Sequence, residues 1–121
     1  MSKNFWEHLT KEDLLQNSII RYIDLQYPDV YYFHVPNEGK RTYFERFNAK
    51  VLGIKSGVSD LFLFCTNKML ILEVKQGKNK PTKNQQDFLD KMCEFGFNAT
   101  WCNSFDSAKK IIDKWYRKDD K

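Results

Sequence analysis

Ser59-Asp60-Leu61-Phe62-Leu63-Phe64-Cys65-Thr66-Asn67-Lys68-Met69-Leu70-Ile71-Leu72-Glu73-Val74-Lys75 is the stretch that decides the fold. It reads as two apolar strands, Leu61 to Cys65 and Met69 to Val74, joined by a short polar turn. Alternate side chains of a strand share a face, so Glu73 and Lys75 point together while Leu70, Leu72 and Val74 point the other way. Two polar groups therefore interrupt one face of a strand that should be buried. If Thr66 and Asn67 are the central pair of a hairpin, Asp60 lies directly opposite Glu73. A loop one residue longer shifts the pairing by a position but keeps both carboxylates at the same end of the ribbon. Opposed side chains in a sheet have Cβ atoms only about 5 Å apart, and like charges there repel. A positive group is expected between them.

A divalent cation meets that need better than Lys75 alone. Carboxylate oxygens suit Mg²⁺, which keeps several waters and is held by one or two carboxylates together with substrate phosphate oxygens. Such an ion polarises a phosphodiester and lowers the pKa of a bound water. Lys75 adds a point charge beside the attacking water or the developing phosphorane. This constellation reads as phosphodiester hydrolysis. The plainer readings are a surface ion pair of Glu73 with Lys75, which contributes little, and an Asp60 that simply ends a glycine-rich turn. The apolar Met69-Leu-Ile-Leu72 run before Glu73, with Asp60 beside it, favours a site.

Two helices bring further polar groups toward this pair. Thr10 with Asp13 three residues on is a capping-box variant, and Leu15, Ile19, Tyr22 and Ile23 then mark an inward stripe at helical spacing. Glu12 stands at the leading edge of that stripe; the alternative is an acid favoured only by the helix dipole. Thr82 followed by Gln85 is another capping-box signature, which by itself would explain the glutamine. Gln85 also shares a face with Phe88, Leu89 and Met92, which aims it toward the sheet.

At these residues the chain resembles the virus-type replication-repair nuclease branch, VRR-NUC, of the PD-(D/E)XK nuclease superfamily. The matching stretches are Pro36-Asn-Glu-Gly39, Gly53-Ile-Lys-Ser-Gly-Val-Ser-Asp60, Glu73-Val-Lys75, Lys80-Pro-Thr-Lys-Asn-Gln85 and Trp101-Cys-Asn-Ser104. They occur in the family's order and cover nearly the whole chain. A lone Glu-x-Lys is common on strands; the ordered set is specific. One departure is Ser59, where the family usually has a proline that shapes the backbone without performing chemistry.

The resemblance implies a restriction-endonuclease-like α/β core, a mixed central sheet flanked by helices. It also implies a metal-dependent, structure-specific endodeoxyribonuclease acting on branched DNA in the manner of Holliday-junction resolvases. Asp60, Glu73, Lys75 and Gln85 are then the catalytic group, and Glu12, Asp60, Glu73 and the Val74 carbonyl hold Mg²⁺ or Mn²⁺. The family's first-helix glutamate falls on Glu12, with Glu7 as the substitute, and its glutamine beside the lysine falls on Gln85. Stand-alone members act as homodimers; the apolar and aromatic stretch Tyr27 to Phe47 is the candidate surface here. A phage or prophage source is the implied setting.

Length and charge are compatible with this. The 121 residues suit one domain, 1–121, and 20 basic against 16 acidic residues give a net charge of +4. That is mildly basic, and the placement says more than the sum. Lys40, Arg41, Arg46, Lys50 and Lys55 precede Asp60, while Lys78, Lys80 and Lys83 follow Lys75. Of these, Lys40, Arg41, Lys55, Lys78, Lys80 and Lys83 are the expected DNA-binding residues, orienting phosphates without reading sequence. The other reading is ordinary solvated loops rich in lysine. Three cysteines, Cys65, Cys93 and Cys102, lack metal-ligand spacing and read as reduced core residues in a cytoplasmic protein. His8 and His34 read as structural, with His34 near enough in the chain order to approach the centre. No signal peptide and no membrane span is expected.

The predicted order is a helix, a strand Val30 to Val35, a helical insertion Tyr43 to Leu52, the two strands above, a helix from Lys83 to near Gly96, a short strand Ala99 to Cys102, and a last helix. Ser104 caps that last helix, with Ala108, Ile111, Ile112 and Trp115 facing inward and Arg117 to Lys121 as a frayed tail. Two other readings remain at this stage. One is a restriction-type or transposon endonuclease with the same centre, against which the lack of an added recognition domain counts. The other is a non-catalytic module that binds branched DNA, against which the complete acid-acid-lysine set counts.

Overall fold

The computed structural model describes residues 4–36, 42–55 and 57–117. Lys40, Arg41, the Asn37-Glu38-Gly39 part of one motif, Ser56 and positions 118–121 of the expected tail lie outside the described residues. A 3₁₀ turn, Phe5–His8, precedes helix α1 (Lys11–Gln26) and strand β1 (Tyr31–His34). Helix α2 (Tyr43–Leu52), strands β2 (Leu61–Cys65) and β3 (Lys68–Val74), helix α3 (Lys83–Glu94), strand β4 (Asn98–Cys102) and helix α4 (Phe105–Arg117) follow. Among the described residues the strands form one sheet in the order β1-β2-β3-β4. It is the expected mixed α/β sheet: β1, β2 and β3 are antiparallel neighbours, and β4 joins β3 in parallel after the α3 crossover.

The hairpin register is the one the turn chemistry predicts. Cys65 pairs with Lys68 and Leu61 with Leu72, leaving Thr66-Asn67 as a two-residue turn. Asn67 takes a left-handed conformation, φ 62°, which asparagine tolerates better than other side chains. One step beyond Leu61 and Leu72, the same register sets Asp60 across from Glu73.

The alternation of β2 and β3 sorts side chains into two layers. Leu61, Leu63, Leu70, Leu72 and Val74 form a core with Ile19 and Ile23 of α1 and Ala108, Ile112 and Trp115 of α4. On the opposite face Phe62 meets Phe33 in a stacked contact and Phe88 of α3 edge-on. Helix starts follow the sequence signals: Thr10 with Asp13, Thr42 with Glu45 and Thr82 with Gln85 each close a capping box.

Three expectations are corrected. Cys93 is exposed and not in the core: near the end of α3 its thiol donates to the backbone carbonyl of Ala99 in β4 at 3.2 Å. Arg117 closes α4 and is not part of a frayed tail. Within the apolar stretch offered for dimer contact, Tyr27 and Val30 are buried in this chain's own core.

A buried acid on α4 was not foreseen. Asp113 lies among the inward residues of α4, where Oδ1 accepts from the Tyr22 hydroxyl at 2.5 Å and the Tyr27 hydroxyl at 2.7 Å. Its Oδ2 accepts from Lys109 at 3.1 Å. Burial alone would raise its pKa, but the two phenols and the ammonium outweigh it and hold the carboxyl below its ordinary value. Asp113 thus ties the last turns of α1 to α4. Replacing it by Ala strands two phenols and is expected to lower urea stability by on the order of 2 kcal/mol. Tyr27→Phe, which removes one hydroxyl, should cost about 1 kcal/mol, and less than that in the Asp113→Ala background.

Candidate active site

The polar group that β3 carries into the interior is Glu73. The strand is walled by β2 and β4, so the Glu73 side chain is only 1% exposed. Its Oε2 lies 3.7 Å from the Lys75 ammonium, while Oε1 is buried without a hydrogen-bond partner among the described residues. Asp60, 5% exposed, closes on it from the start of β2. Burial, then the charge and hydrogen-bonding contact of Asp60, push the Glu73 carboxyl up to about 8, with Glu12 adding to the rise and Lys75 opposing it. Two acids at this separation cannot both ionise cheaply without a cation or a shared proton.

Asp60 is held on two sides. Its Oδ2 accepts from the Val74 N–H at 2.8 Å, and its backbone carbonyl accepts from the Val35 N–H at 2.8 Å. A strand residue sends its N–H and C=O toward the same neighbour, so the Val74 carbonyl also faces the Asp60 side. The loop leading to Asp60 rests on the start of α3: Gly57 has φ +79°, and a Cβ there would stand 2.7 Å from the Asn84 backbone. Ser59 is fully buried, and among the described residues its hydroxyl has no partner. Lys75 continues β3, its N–H donating to the Cys102 carbonyl at 2.9 Å, and its side chain is 13% exposed.

Glu12 sits in the first turn of α1, half-buried. Burial raises its pKa first, then the Asp60 charge; Lys75 lowers it and Asp13 raises it. It therefore belongs to the same electrostatic group as Asp60 and Lys75. Gln85 is buried at the start of α3, with Oε1 accepting from the Thr82 N–H at 2.9 Å. The capping reading is realised, and it engages the amide oxygen of Gln85.

No three His, Cys, Asp or Glu side chains among the described residues close into a ready-made metal cage. The donor set is instead the Asp60 and Glu73 pair, with Glu12 coupled to it by charge. Such a set, with an orphaned buried carboxylate oxygen, fits a hard cation that completes its shell with water and phosphate oxygens. Cys102 lies in the core layer with Leu72 and Val74. Burial, then the Asp60 and Glu73 charges, push its thiol up to about 12.

Of the basic residues expected to meet DNA, Lys55, Lys78, Lys80 and Lys83 are exposed. Lys83 is also paired with Asp87 at 3.0 Å, which reduces its call on a phosphate. His34, expected to be able to approach the centre from the first strand, does so, and sequence reading missed its partner Gln16. His34 Nδ1 lies 3.1 Å from the Asp60 carbonyl and 3.0 Å from Gln16 Nε2. The signal was the one-turn spacing of Gln16 from Glu12, which gains meaning only once β1 is known to pair with β2.

A carboxyl whose pKa rises on folding contributes stability that is intact below its unfolded value and lost as pH climbs through the folded one. Without divalent metal, thermal stability should therefore decline between about 4.5 and about 8 on the Glu73 titration. Glu73→Gln, neutral throughout, should flatten that decline in melts recorded in EDTA.

Comparison with known proteins points to one family. The family model for the VRR-NUC domain matches residues 2–106. A solved structure described as a VRR_NUC domain protein superposes with a TM-score of 0.72 at 19% identity, over 90% of each chain. That likeness is one of fold. No curated protein matches the sequence.

Proposed function

The chain belongs to the VRR-NUC family, nucleases of the PD-(D/E)XK superfamily, and from that premise we propose that it is a metal-dependent endodeoxyribonuclease that cuts branched DNA in the manner of a Holliday-junction resolvase. The observation that carries the reading is the Glu73 carboxylate, buried in the central strand with an unpartnered oxygen, facing Asp60 and next to Lys75. A purely structural acid would have donors around it, as Asp113 does.

In this reading Asp60 and Glu73, with Glu12 and the Val74 carbonyl, hold Mg²⁺ or Mn²⁺. The ion supplies Lewis acidity toward the phosphodiester and a water that is nucleophilic at neutral pH. The residues of the chain do the rest. The Val74 N–H fixes one Asp60 oxygen, so the other is free to turn toward the ion. The Lys75 ammonium stands where it can donate to the attacking water or to a phosphate oxygen as charge builds on it. The Gln85 amide nitrogen orients the same group. Water would attack phosphorus as the opposite P–O bond breaks, and the leaving sugar oxygen would take up a proton equivalent to the one the water gives up, so that a phosphomonoester end and a free hydroxyl end result. Exposed Lys55, Lys78 and Lys80, with Lys83 and with Lys40 and Arg41, which lie outside the described residues, engage backbone phosphates.

With four-way, flap and linear DNAs, cleavage should occur in Mg²⁺ or Mn²⁺, prefer the branched substrates, and cease in EDTA. Glu73→Gln should lower the rate at least about 100-fold with folding retained, and Lys75→Met by a similar factor. Binding without metal-dependent products would favour a non-catalytic junction-binding module, and equal cutting of linear DNA a restriction-type enzyme.

We take residues 1–121 as one nuclease domain working as a homodimer in an intracellular, phage or prophage setting. What supports the dimer is the surface around α2, where Tyr43 is 88% exposed and Phe44, Phe47, Val51 and Leu52 are exposed with it. Edge strand β1 adds exposed Tyr31 and Phe33. No described helix is long and apolar enough to cross a membrane, so these side chains are not part of a helical span. Sedimentation should give twice the chain mass, and Phe47→Arg should reduce it to one chain.

A further inference from the structure

We infer that His34 and Gln16 are positioning residues: together they lock the first turns of α1, and so Glu12, to the backbone of Asp60. The inference rests on the metal-site reading above and extends it to two residues that the reading does not use.

Helix α1 is anchored to the core late. Its first fully buried residue is Ile19, seven positions after Glu12, and Leu15 is only partly buried. The turn carrying Glu12 is therefore anchored to the core only through the partly buried Leu15. Gln16 lies one turn beyond Glu12 on the same side of the helix. It reaches across to β1, where its amide nitrogen is 3.0 Å from His34 Nδ1. The same ring nitrogen is 3.1 Å from the Asp60 carbonyl, which Val35 also engages through its N–H at 2.8 Å.

A carbonyl only accepts. With the proton on Nδ1, the ring donates to Asp60 and meets Gln16 through the amide oxygen after a half-turn of that amide. With the proton on Nε2, Nδ1 could accept from the Gln16 amide but would set a lone pair against the Asp60 carbonyl, which only accepts. The bridge therefore takes the Nδ1–H tautomer, in which one imidazole proton is shared between the Asp60 carbonyl and the Gln16 amide oxygen and spans the gap between α1 and the strand end that presents Asp60.

The role is separable from folding. Asp60 keeps its Val35 and Val74 hydrogen bonds without His34, and the His34 side chain is exposed, so its loss empties no core. What is lost is the relative placement of Glu12 and Asp60, which ion binding requires to within fractions of an ångström.

The test is Mn²⁺ titration by calorimetry, with melts in EDTA and steady-state cleavage alongside, on wild type, His34→Ala, His34→Asn, Gln16→Ala, Glu12→Ala and the His34→Ala/Glu12→Ala pair. His34→Ala should weaken Mn²⁺ binding about tenfold, the scale of losses outside the direct ligands, with the EDTA melting temperature little changed. Gln16→Ala should reproduce most of that loss, and because Gln16 is only half-buried and polar its loss empties no apolar core, which keeps the test alive even if His34→Ala folds poorly. His34→Asn, whose amide reaches the Nδ1 position, should restore most of the affinity. In the Glu12→Ala background, removing His34 should cost nothing further. Mn²⁺ affinity in His34→Ala and Gln16→Ala equal to a wild type that does bind, or losses that add fully to those of Glu12→Ala, would overturn the bracket alone. No Mn²⁺ uptake by the wild type would overturn the site reading together with it.

Discussion

A glutamate side chain enclosed by three strands, with a second carboxylate closing on it, is the constraint to which the rest of this molecule answers. Glu73 occupies the central strand because Leu70, Leu72 and Val74 must face the α1 and α4 layer, which sends the intervening positions the other way. The residue at the strand's end could have been apolar at no structural cost. An acid there, with one oxygen unpartnered, is a standing destabilisation that only a proton or a cation relieves. Such local conflict with the fold is what a site built for charged ligands looks like.

Two of the buried acids among the described residues, Asp113 and Glu73, show the contrast within one structure. Asp113, on α4, is surrounded by the Tyr22 and Tyr27 hydroxyls and the Lys109 ammonium, and its pKa falls. Glu73 is left short of donors, and its pKa rises. They lie toward opposite ends of β3: at the Lys68 end, the Lys68 ammonium caps the Trp115 and Tyr116 carbonyls at 2.9 and 2.6 Å. At that end hydrogen bonds to Asp113 and Lys68 hold helices together, and the Trp115 indole N–H is the buried group left without a partner among the described residues. The other end concentrates unsatisfied charge beside a glycine-dependent loop and the first turns of α1 and α3.

Much of this was legible in residue order because its causes are local. The two-residue turn at Thr66-Asn67 determined the β2-β3 register, and with it the pairing of Asp60 with Glu73. Gly53, which ends α2 at φ 78°, and Thr42 with its Glu45 partner bounded that helix where the sequence signals put them. The capping-box reading of Gln85 and its inward burial were both visible in the spacing, and both are realised. What escaped depends on contacts distant in the chain. Asp113 sits at a position that helical periodicity reads as solvent-facing or neutral, and its partners are 86 and 91 residues away. Cys93 shares α3's apolar side in projection, yet it is exposed and meets β4 through a backbone carbonyl. The short 3₁₀ turn before α1 carries too little periodicity to be read at all.

Residue order by itself determined the mixed α/β element sequence, the identity of the acid-acid-lysine set and the family to which it points. These follow from side-chain alternation, turn chemistry and capping, each acting over a few residues. Tertiary structure alone decided how the charge is managed. It set the depth at which Glu73 is buried, the grip of the Val35 and Val74 amides on Asp60, and the bridge from Gln16 through His34. Burial and long-range hydrogen bonding are properties of where strands and helices meet, and no local pattern encodes the distance between side chains that only folding brings together.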